Sequence, residues 1–310
     1  MSTTIIRPKN HAEWLEYRKH GIGSSEVATI VGLNPWETPY QLWRRKIGLD
    51  APIEESFAMK AGHYLEDAVA RFWQDETGKK IIKRSAGDWI IRNNKKPFVQ
   101  VSPDRTYWVD EAAHSAGKGI LECKTTQKTI DEVPKHWFCQ VQYQLGGAEM
   151  EQGSIAWLTA GREFGYRDLM LVPDFYGWLV EEVERFWTDN ILGKQEPDSQ
   201  SVQDVLLKYN KHIEGKTIEV DNEIISAYNK LKSVREEISK MEEQQSELEA
   251  KLKMCFGDAE AISYGGNIIA TWKSSKESER FDAKTFQSEH PELAQQYMKT
   301  VKSSRRFLLK

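Results

Sequence analysis

The sequence predicts an α/β protein, with a mixed central sheet flanked by helices and, after it, a long helical arm and a small β element. Three observations carry this prediction. β-prone runs bounded by turn residues cluster between residues 80 and 171. Helical patterns with one apolar stripe lie on both sides of them, and past Gly193 the pattern changes to an extended heptad. With 310 residues and 39% hydrophobic content, the chain can bury a substantial core. The polar, turn-rich stretch 193–201 marks a linker, giving a core over residues 1–195 and an extension over 196–310.

In chain order, Glu13 to Lys19 reads as a short helix that ends where Gly21 and Gly23 permit a reversal. A second helix starts at Ser24-Ser25-Glu26 and stops before Gly32. A third carries Tyr40, Leu42 and Trp43 to Gly48. Met59 to Glu76 places Leu65, Val69, Phe72 and Trp73 on one helical stripe, closed by Gly78. Neighbouring strands are expected at Lys80 to Arg84, Trp89 to Arg92, Phe98 to Ser102 with Arg105 to Val109, and Gly119 to Thr125. Pro134 opens a helix to Gly146, strands follow at Gly153 to Thr159 and Gly165 to Leu171, and a helix runs from Pro173 to Ile191.

In the extension, Ile224, Leu231, Ile238, Gln245 and Leu252 repeat at one heptad position and Ala227, Val234, Met241, Leu248 and Cys255 at another. The heptad helix spans 221–256, and it suits a hairpin arm on its own chain as well as an intermolecular coiled coil. Gly265-Gly266 between two β-prone runs signals a hairpin, and the run from Ser304 to Lys310 reads as a third strand. Between residues 273 and 310 nine Lys or Arg face five Asp or Glu, an excess of four that suits either a phosphate backbone or a solvated face.

Composition narrows the function. No stretch approaches the roughly 18 apolar residues of a membrane span, and the start of the chain is polar around Arg7, Pro8 and Lys9, so the expected location is the cytoplasm. Three scattered cysteines argue against a disulfide framework, and the seven histidines show no metal-pair spacing. Any metal must therefore be held by oxygen. The net charge of −4 gives no general affinity for nucleic acid, so DNA contact requires a local basic track.

The chemistry concentrates in two strings. Val101-Ser102-Pro103-Asp104 places an acid ahead of the run Gly119 to Lys124, in which Glu122 and Lys124 share one face of a strand while Leu121 and Cys123 take the other. An acid, then an acid and a lysine two apart, is the pattern of a metal-dependent phosphodiesterase: carboxylates hold Mg²⁺ with its waters, and a lysine orients the nucleophile. Glu66 offers a third acid on a helix face with small residues Gly62 and Ala70, and the Cys123 carbonyl is a further oxygen donor. Ser24 and Ser25 at a helix start, with Arg18 upstream, form a candidate anion site, although an ordinary N-cap accounts for the serines equally well. Gln140 and Gln144 lie along one face of the Pro134 helix, where they either face the site or sit at the surface.

The sequence of motifs, Trp14-x3-Arg18-x2-Gly-Ile-Gly-Ser-Ser25-Glu26, Gly62-x3-Glu66, Ser102-Pro-Asp104, Leu121-Glu-Cys-Lys124 and Gln140-Val-Gln-Tyr143, resembles the YqaJ viral recombinase family, to which lambda exonuclease is related. The resemblance covers about residues 11–190. It implies a PD-(D/E)XK restriction-endonuclease-like core, Mg²⁺ dependence with Mn²⁺ as a possible substitute, and 5′-to-3′ digestion of one strand of linear double-stranded DNA in phage or prophage recombination. By the same resemblance Asp104 and Glu122 are metal ligands, Glu66 is the additional acid, Lys124 is the catalytic lysine, and Arg18, Ser25, Ser102 and Gln140 receive the 5′-phosphate of a DNA end; the residues themselves add Glu66 and the Cys123 carbonyl as further candidate metal ligands. It further implies a homo-oligomer, a trimeric ring, and work beside a single-strand annealing protein. The extension after Gly193 departs from compact members, which bears most on the ring. An endonuclease on the same core and a non-catalytic DNA-end-binding or assembly protein are the competing readings.

Overall fold

The computed structural model describes residues 2–51, 54–82, 89–110, 112, 117–299 and 305–309. The chain forms two compact units, Met1–Lys208 and Tyr209–Lys310.

In the first unit, β1 (Thr3–Ile6) and α1 (His11–Arg18) lead into β2 (Ile22–Gly23), α2 (Ser24–Ile30) and α3 (Pro39–Lys46). α4 (Phe57–Thr77) is followed by β3 (Ile81–Ile82), β4 (Ile90–Asn93), β5 (Val99–Val101), β6 (Arg105–Trp108) and β7 (Lys118–Thr126). α5 (Lys135–Ala148), β8 (Gln152–Thr159), β9 (Glu163–Met170) and α6 (Pro173–Arg185) come next, α6 continuing as a π-helical turn over Phe186–Leu192, and α7 (Val202–Lys208) closes the unit. The expected helices, most strands and a mixed sheet flanked by helices are present, with a second, smaller sheet beside it. The strands divide into a five-stranded sheet, β3-β6-β7-β8-β9, and a four-stranded sheet, β1-β4-β5-β2. Trp89 to Arg92 and Phe98 to Ser102 therefore do not neighbour Arg105 to Val109 in one sheet. Pro103, which cannot donate to a ladder, follows β5 and forces the break between β5 and β6. Of the expected strand Lys80 to Arg84, only Ile81–Ile82 is formed, and residues 83–84 lie outside the described residues.

The five-stranded sheet is mixed: β7 pairs antiparallel with β6 and parallel with β8, and β8 pairs antiparallel with β9. α5 supplies the crossover that a parallel pair requires. Side-chain alternation sends Leu121 and Cys123 into a cluster with Val69, Ala70 and Trp73 of α4, and Ile120 into one with Trp137, Val141 and Leu145 of α5. The sheet is thus covered on both faces. On the predicted α4 stripe Val69 and Trp73 are buried, whereas Leu65 and Phe72 are exposed, and Ala70 takes a core position.

The other side of α5, with Cys139 and Tyr143, packs on Val99 and Val101 of the second sheet. α5 is therefore wedged between two sheets. Gly147 allows the close approach, since a Cβ there would stand 2.7 Å from Val101 Cγ1. Past the polar stretch 193–201, Asp204 of α7 is fully buried and accepts hydrogen bonds from Thr38 Oγ1 (2.9 Å) and Gln41 Nε2 (2.8 Å). That anchor keeps α7 in the first unit.

The second unit contains α8 (Asn222–Phe256), the hairpin β10 (Ala261–Tyr264) and β11 (Asn267–Thr271), and two short helices, α9 (Ala283–Glu289) and α10 (Pro291–Gln296). Asp221 caps α8 by accepting from the Ile224 N–H at 3.0 Å. Gly265 and Gly266, at φ 59° and 82°, make the hairpin turn that a residue with a Cβ would strain. The expected third strand at the end of the chain does not form: residues 305–309 carry no strand, and Ser304 and Lys310 lie outside the described residues. Among the described residues no helix is long and apolar enough to cross a membrane.

Candidate active site

Arg105 pairs with Leu121 at the end of the β6–β7 ladder, so Asp104 stands one step further, opposite Glu122. Opposed residues on antiparallel strands share a face, which brings the two acids together although 17 residues separate them. Asp104 Oδ2 accepts the Cys123 N–H at 2.7 Å, occupying a backbone donor that β6 no longer reaches. A strand residue aims its N–H and C=O at the same edge, so the Cys123 carbonyl faces the Asp104 side.

Glu122 is buried and fully engaged. Oε1 receives Lys124 Nζ at 2.6 Å and the Gln140 amide, and Oε2 receives Gln144 Nε2 at 2.7 Å. Lys124 Nζ also donates to Gln140 Oε1 at 2.9 Å. Burial opposes the Lys124 charge, yet Glu122 and Asp104 outweigh it and hold the ammonium above its ordinary value. Asp104 shows the reverse balance: burial first, then Glu122 and Glu66, push its carboxyl well above the usual range, against the Lys124 charge and the Cys123 N–H. Negative charge is in excess around Asp104. The same burial and acids push the Cys123 thiol well up, leaving it neutral and inert.

Glu66 reaches the same neighbourhood from α4, but Arg105 takes its carboxylate and that of Asp67, and donates from Nη1 to the Asp104 carbonyl at 2.7 Å. Gly62 brings α4 against β7: a Cβ at that position would lie 3.7 Å from Thr125 Oγ1. Among the described residues no three His, Cys, Asp or Glu side chains stand together as a ready cation cage. The donor chemistry nevertheless fits Mg²⁺, which takes oxygen from one or two carboxylates and keeps most of its waters. Asp104, Glu122 and the Cys123 carbonyl offer such a set, beside uncompensated negative charge.

The anion-site candidates gather at α2. Arg18 Nη2 lies 3.3 Å from Ser25 Oγ and 3.3 Å from Glu26 Oε2, with its guanidinium 4.8 Å over the Trp14 ring. Gly23 makes room for it, because a Cβ there would fall 2.3 Å from Arg18 Nη2. Glu26 is the centre of this cluster, bound by the Gly23 N–H (2.8 Å), Lys46 Nζ (2.9 Å) and Arg45 Nη1 (3.4 Å). Burial raises its pKa, and Lys46, Arg18 and Arg45 more than reverse that, lowering it to about 2. Lys46, which also donates to the Arg18 and Gly21 carbonyls, shares this carboxylate with two arginines, so burial lowers its own pKa on balance.

Ser102 follows β5, whose Gln100 pairs in parallel with Gly23, so the chain leaves β5 in the direction in which α2 leaves β2. Among the described residues the Ser102 side chain has no hydrogen-bond partner. Gln144, fully buried, connects the two clusters: the Nε2 that binds Glu122 also lies 3.3 Å from Ser24 Oγ. In the sequence Gln144 stands beside Gln140 with no role of its own, and nothing marks Arg105, Arg45 or Lys46. The acid–lysine spacing and the i, i+4 glutamines carried the signal for the first cluster, whereas no local pattern marks cations recruited from α3 or β6.

The sequence profile of the YqaJ-like viral recombinase domain matches residues 13–151. The uncharacterised protein YqaJ of Bacillus subtilis (strain 168) is 33% identical over 314 aligned residues, covering 96% of this chain and 93% of that protein. Among solved structures, an alkaline exonuclease from Laribacter hongkongensis aligns at 16% identity and a TM-score of 0.46, over 59% of this chain and 93% of that one. A phage-related exonuclease from Haemophilus somnus 129PT aligns at 12% identity and a TM-score of 0.41, over 56% and 96%.

Proposed function

This chain belongs to the YqaJ-like viral recombinase family, and from that premise we propose that it is a Mg²⁺-dependent deoxyribonuclease that digests one strand of linear duplex DNA from its 5′ end. The observation that carries the reading is the meeting of Asp104, Glu122 and Lys124 at the β6–β7 edge.

In this reading Asp104, Glu122 and the Cys123 carbonyl hold the ion, and Mn²⁺ can replace it because the same hard oxygen donors serve both. When bound, Mg²⁺ supplies an activated water and neutralises charge on the phosphate. Glu66, held by Arg105, acts as the third acid nearby. Lys124 stays protonated at neutral pH, so it serves as a fixed cation that donates to the attacking water or the scissile phosphate and takes no proton in this state. Gln140 and Gln144 fix the rotamers of Glu122 and Lys124.

Arg18, Ser25 and Ser102 receive the terminal 5′-phosphate, whereas Gln140, expected with them, is hydrogen-bonded to Glu122 and Lys124 at the metal site, and Gln144 links the two clusters. α2 presents its N-terminal N–H groups there, and the guanidinium supplies a forked donor. The biological setting we propose is phage or prophage recombination in the cytoplasm, with a single-strand annealing protein as partner and a ring-shaped oligomer enclosing the DNA.

The test is end dependence. 5′-Phosphorylated linear, 5′-hydroxyl linear and closed circular duplexes are incubated with Mg²⁺. The proposal expects digestion of linear DNA, faster with a 5′-phosphate, and intact circles; Arg18→Ala should abolish the phosphate preference. Cutting of circles would establish an endonuclease instead.

A further inference from the structure

We propose that α8 pairs with α8 of a second copy of this chain as an antiparallel two-stranded coiled coil. At 35 residues the helix is about 52 Å long. Its heptad seam is uncovered, from 37% exposed at Leu231 to 65% at Met241. Among the described residues of its own unit the remaining elements are a short hairpin and helices of seven and six residues, none of which could cover such a length. A seam of this extent needs a helix of equal length, and a second α8 is one.

Charge selects the direction. With Ile224 and its repeats at position a and Ala227 and its repeats at d, the flanking g positions include Lys230 and Glu237 and the e positions Arg235 and Glu242. A parallel pair apposes each g residue with the e residue five further on in the other chain. That puts Lys230 against Arg235 and Glu237 against Glu242, four like-charge contacts in the dimer. An antiparallel pair centred on the helix, with Ile238 of one chain facing Met241 of the other, apposes e with e instead. Arg235 then meets Glu242 of the second copy, with Glu249 one turn further, and both contacts occur twice. One kind of like-charge contact remains, Lys230 with Lys251 of the second copy, and it too occurs twice, two repulsions against the four of the parallel pair. Among the described residues neither Arg235 nor Glu242 has an ion-pair partner; the Arg235 guanidinium lies 5.7 Å over the Phe307 ring, a contact that leaves its charge unneutralised.

Packing agrees. The antiparallel register sets the small Ala227 against Leu252 and Ile224 against Cys255, whereas the parallel one stacks Ala227 on itself and leaves a gap. Gln245, the polar break in the seam, donates to Glu249 Oε1 on its own helix at 3.0 Å and does not need its counterpart in the other chain.

The test is the association constant of the full chain by sedimentation velocity. Arg235→Glu and Glu242→Arg should each weaken association about tenfold, and R235E/E242R together should restore it to within about threefold of the wild type. Parallel pairing predicts the opposite sign, because each single change would create attraction to Lys230 or Glu237. Single variants that leave association unchanged or tighter, or a double variant that stays weak, would overturn the proposal. Mild oxidation gives a second readout: Ile224→Cys should cross-link to Cys255 of the second copy, and a Cys255–Cys255 link in the wild type would contradict it.

Discussion

The side-chain amide of Gln144 spans from Glu122 Oε2, 2.7 Å away, to Ser24 Oγ at 3.3 Å. One neutral side chain thus ties the acid cluster on β7 to the first turn of α2, where the end-binding candidates lie. The tie runs through α5, a helix fixed on both sides by sheets, so a displacement at either cluster is transmitted with little slack.

Gln144→Leu should keep the fold and weaken catalysis. Removing one of the donors that hold Glu122 releases its rotamer, with an expected loss of about tenfold to a hundredfold in kcat and a smaller change in KM. Steady-state kinetics on a 5′-phosphorylated duplex measure the split; an unchanged kcat would remove Gln144 from the positioning set.

Asp104→Asn should stabilise the metal-free protein and end its response to Mg²⁺. The Asp104 carboxyl is raised in the folded state, so the fold binds this proton more tightly than the unfolded chain does. Its contribution is therefore fully present at low pH and is lost as pH rises beyond the ordinary carboxylate value of 3.8 through the raised one. At pH 7 the substitution removes that penalty. Melting curves at several pH values, with and without Mg²⁺, should show wild-type stabilisation by the ion and none in the variant.

Glu26 gives the opposite slope. Its pKa falls from 4.5 to about 2 on folding, so it stabilises above pH 4.5 and that contribution disappears as pH falls towards 2. The shift corresponds to about 3 kcal/mol at neutral pH, carried mainly by Lys46 and Arg18. Glu26→Gln should lose about 3–5 kcal/mol at pH 7, because Lys46 is left buried without its counter-charge. Denaturant titrations at pH 7 and pH 3 should show a larger deficit at pH 7.

Gly23→Ala probes the anion pocket without removing any charge. The backbone there, φ −80° and ψ 157°, accepts alanine, but the Cβ would enter the space of the Arg18 guanidinium. Folding should change by about 1 kcal/mol, from the poorer cap, while preference for a 5′-phosphate falls to near that of Arg18→Ala. Competition between phosphorylated and hydroxyl ends reads this directly.

Much of the site was legible because it is written locally. The alternation in β7 puts Glu122 and Lys124 on the α5 face, and the four-residue step from Gln140 to Gln144 puts both amides over it. The helices α4 and α8 follow from their apolar periods. What local pattern could not convey is pairing at a distance. β1 is a four-residue run whose partner, β4, lies nearly ninety residues on, and nothing in Thr3–Ile6 announces it. Strands β4 to β7 look alike in sequence, and only the turn at Pro103 separates them into two sheets. In sequence Arg105 is one more strand residue; its grip on Glu66 arises from the packing of α4 over the sheet.

The most direct test of the central assignment is nucleotide release from the 5′-labelled end of a linear duplex in Mg²⁺, comparing wild type with Lys124→Ala at matched DNA occupancy. If Lys124 and its two acids are the cutting centre, the wild type releases label and the variant is slower by about 10² to 10⁴-fold while binding the same ends. Release at the wild-type rate by a folded Lys124→Ala protein would contradict the assignment.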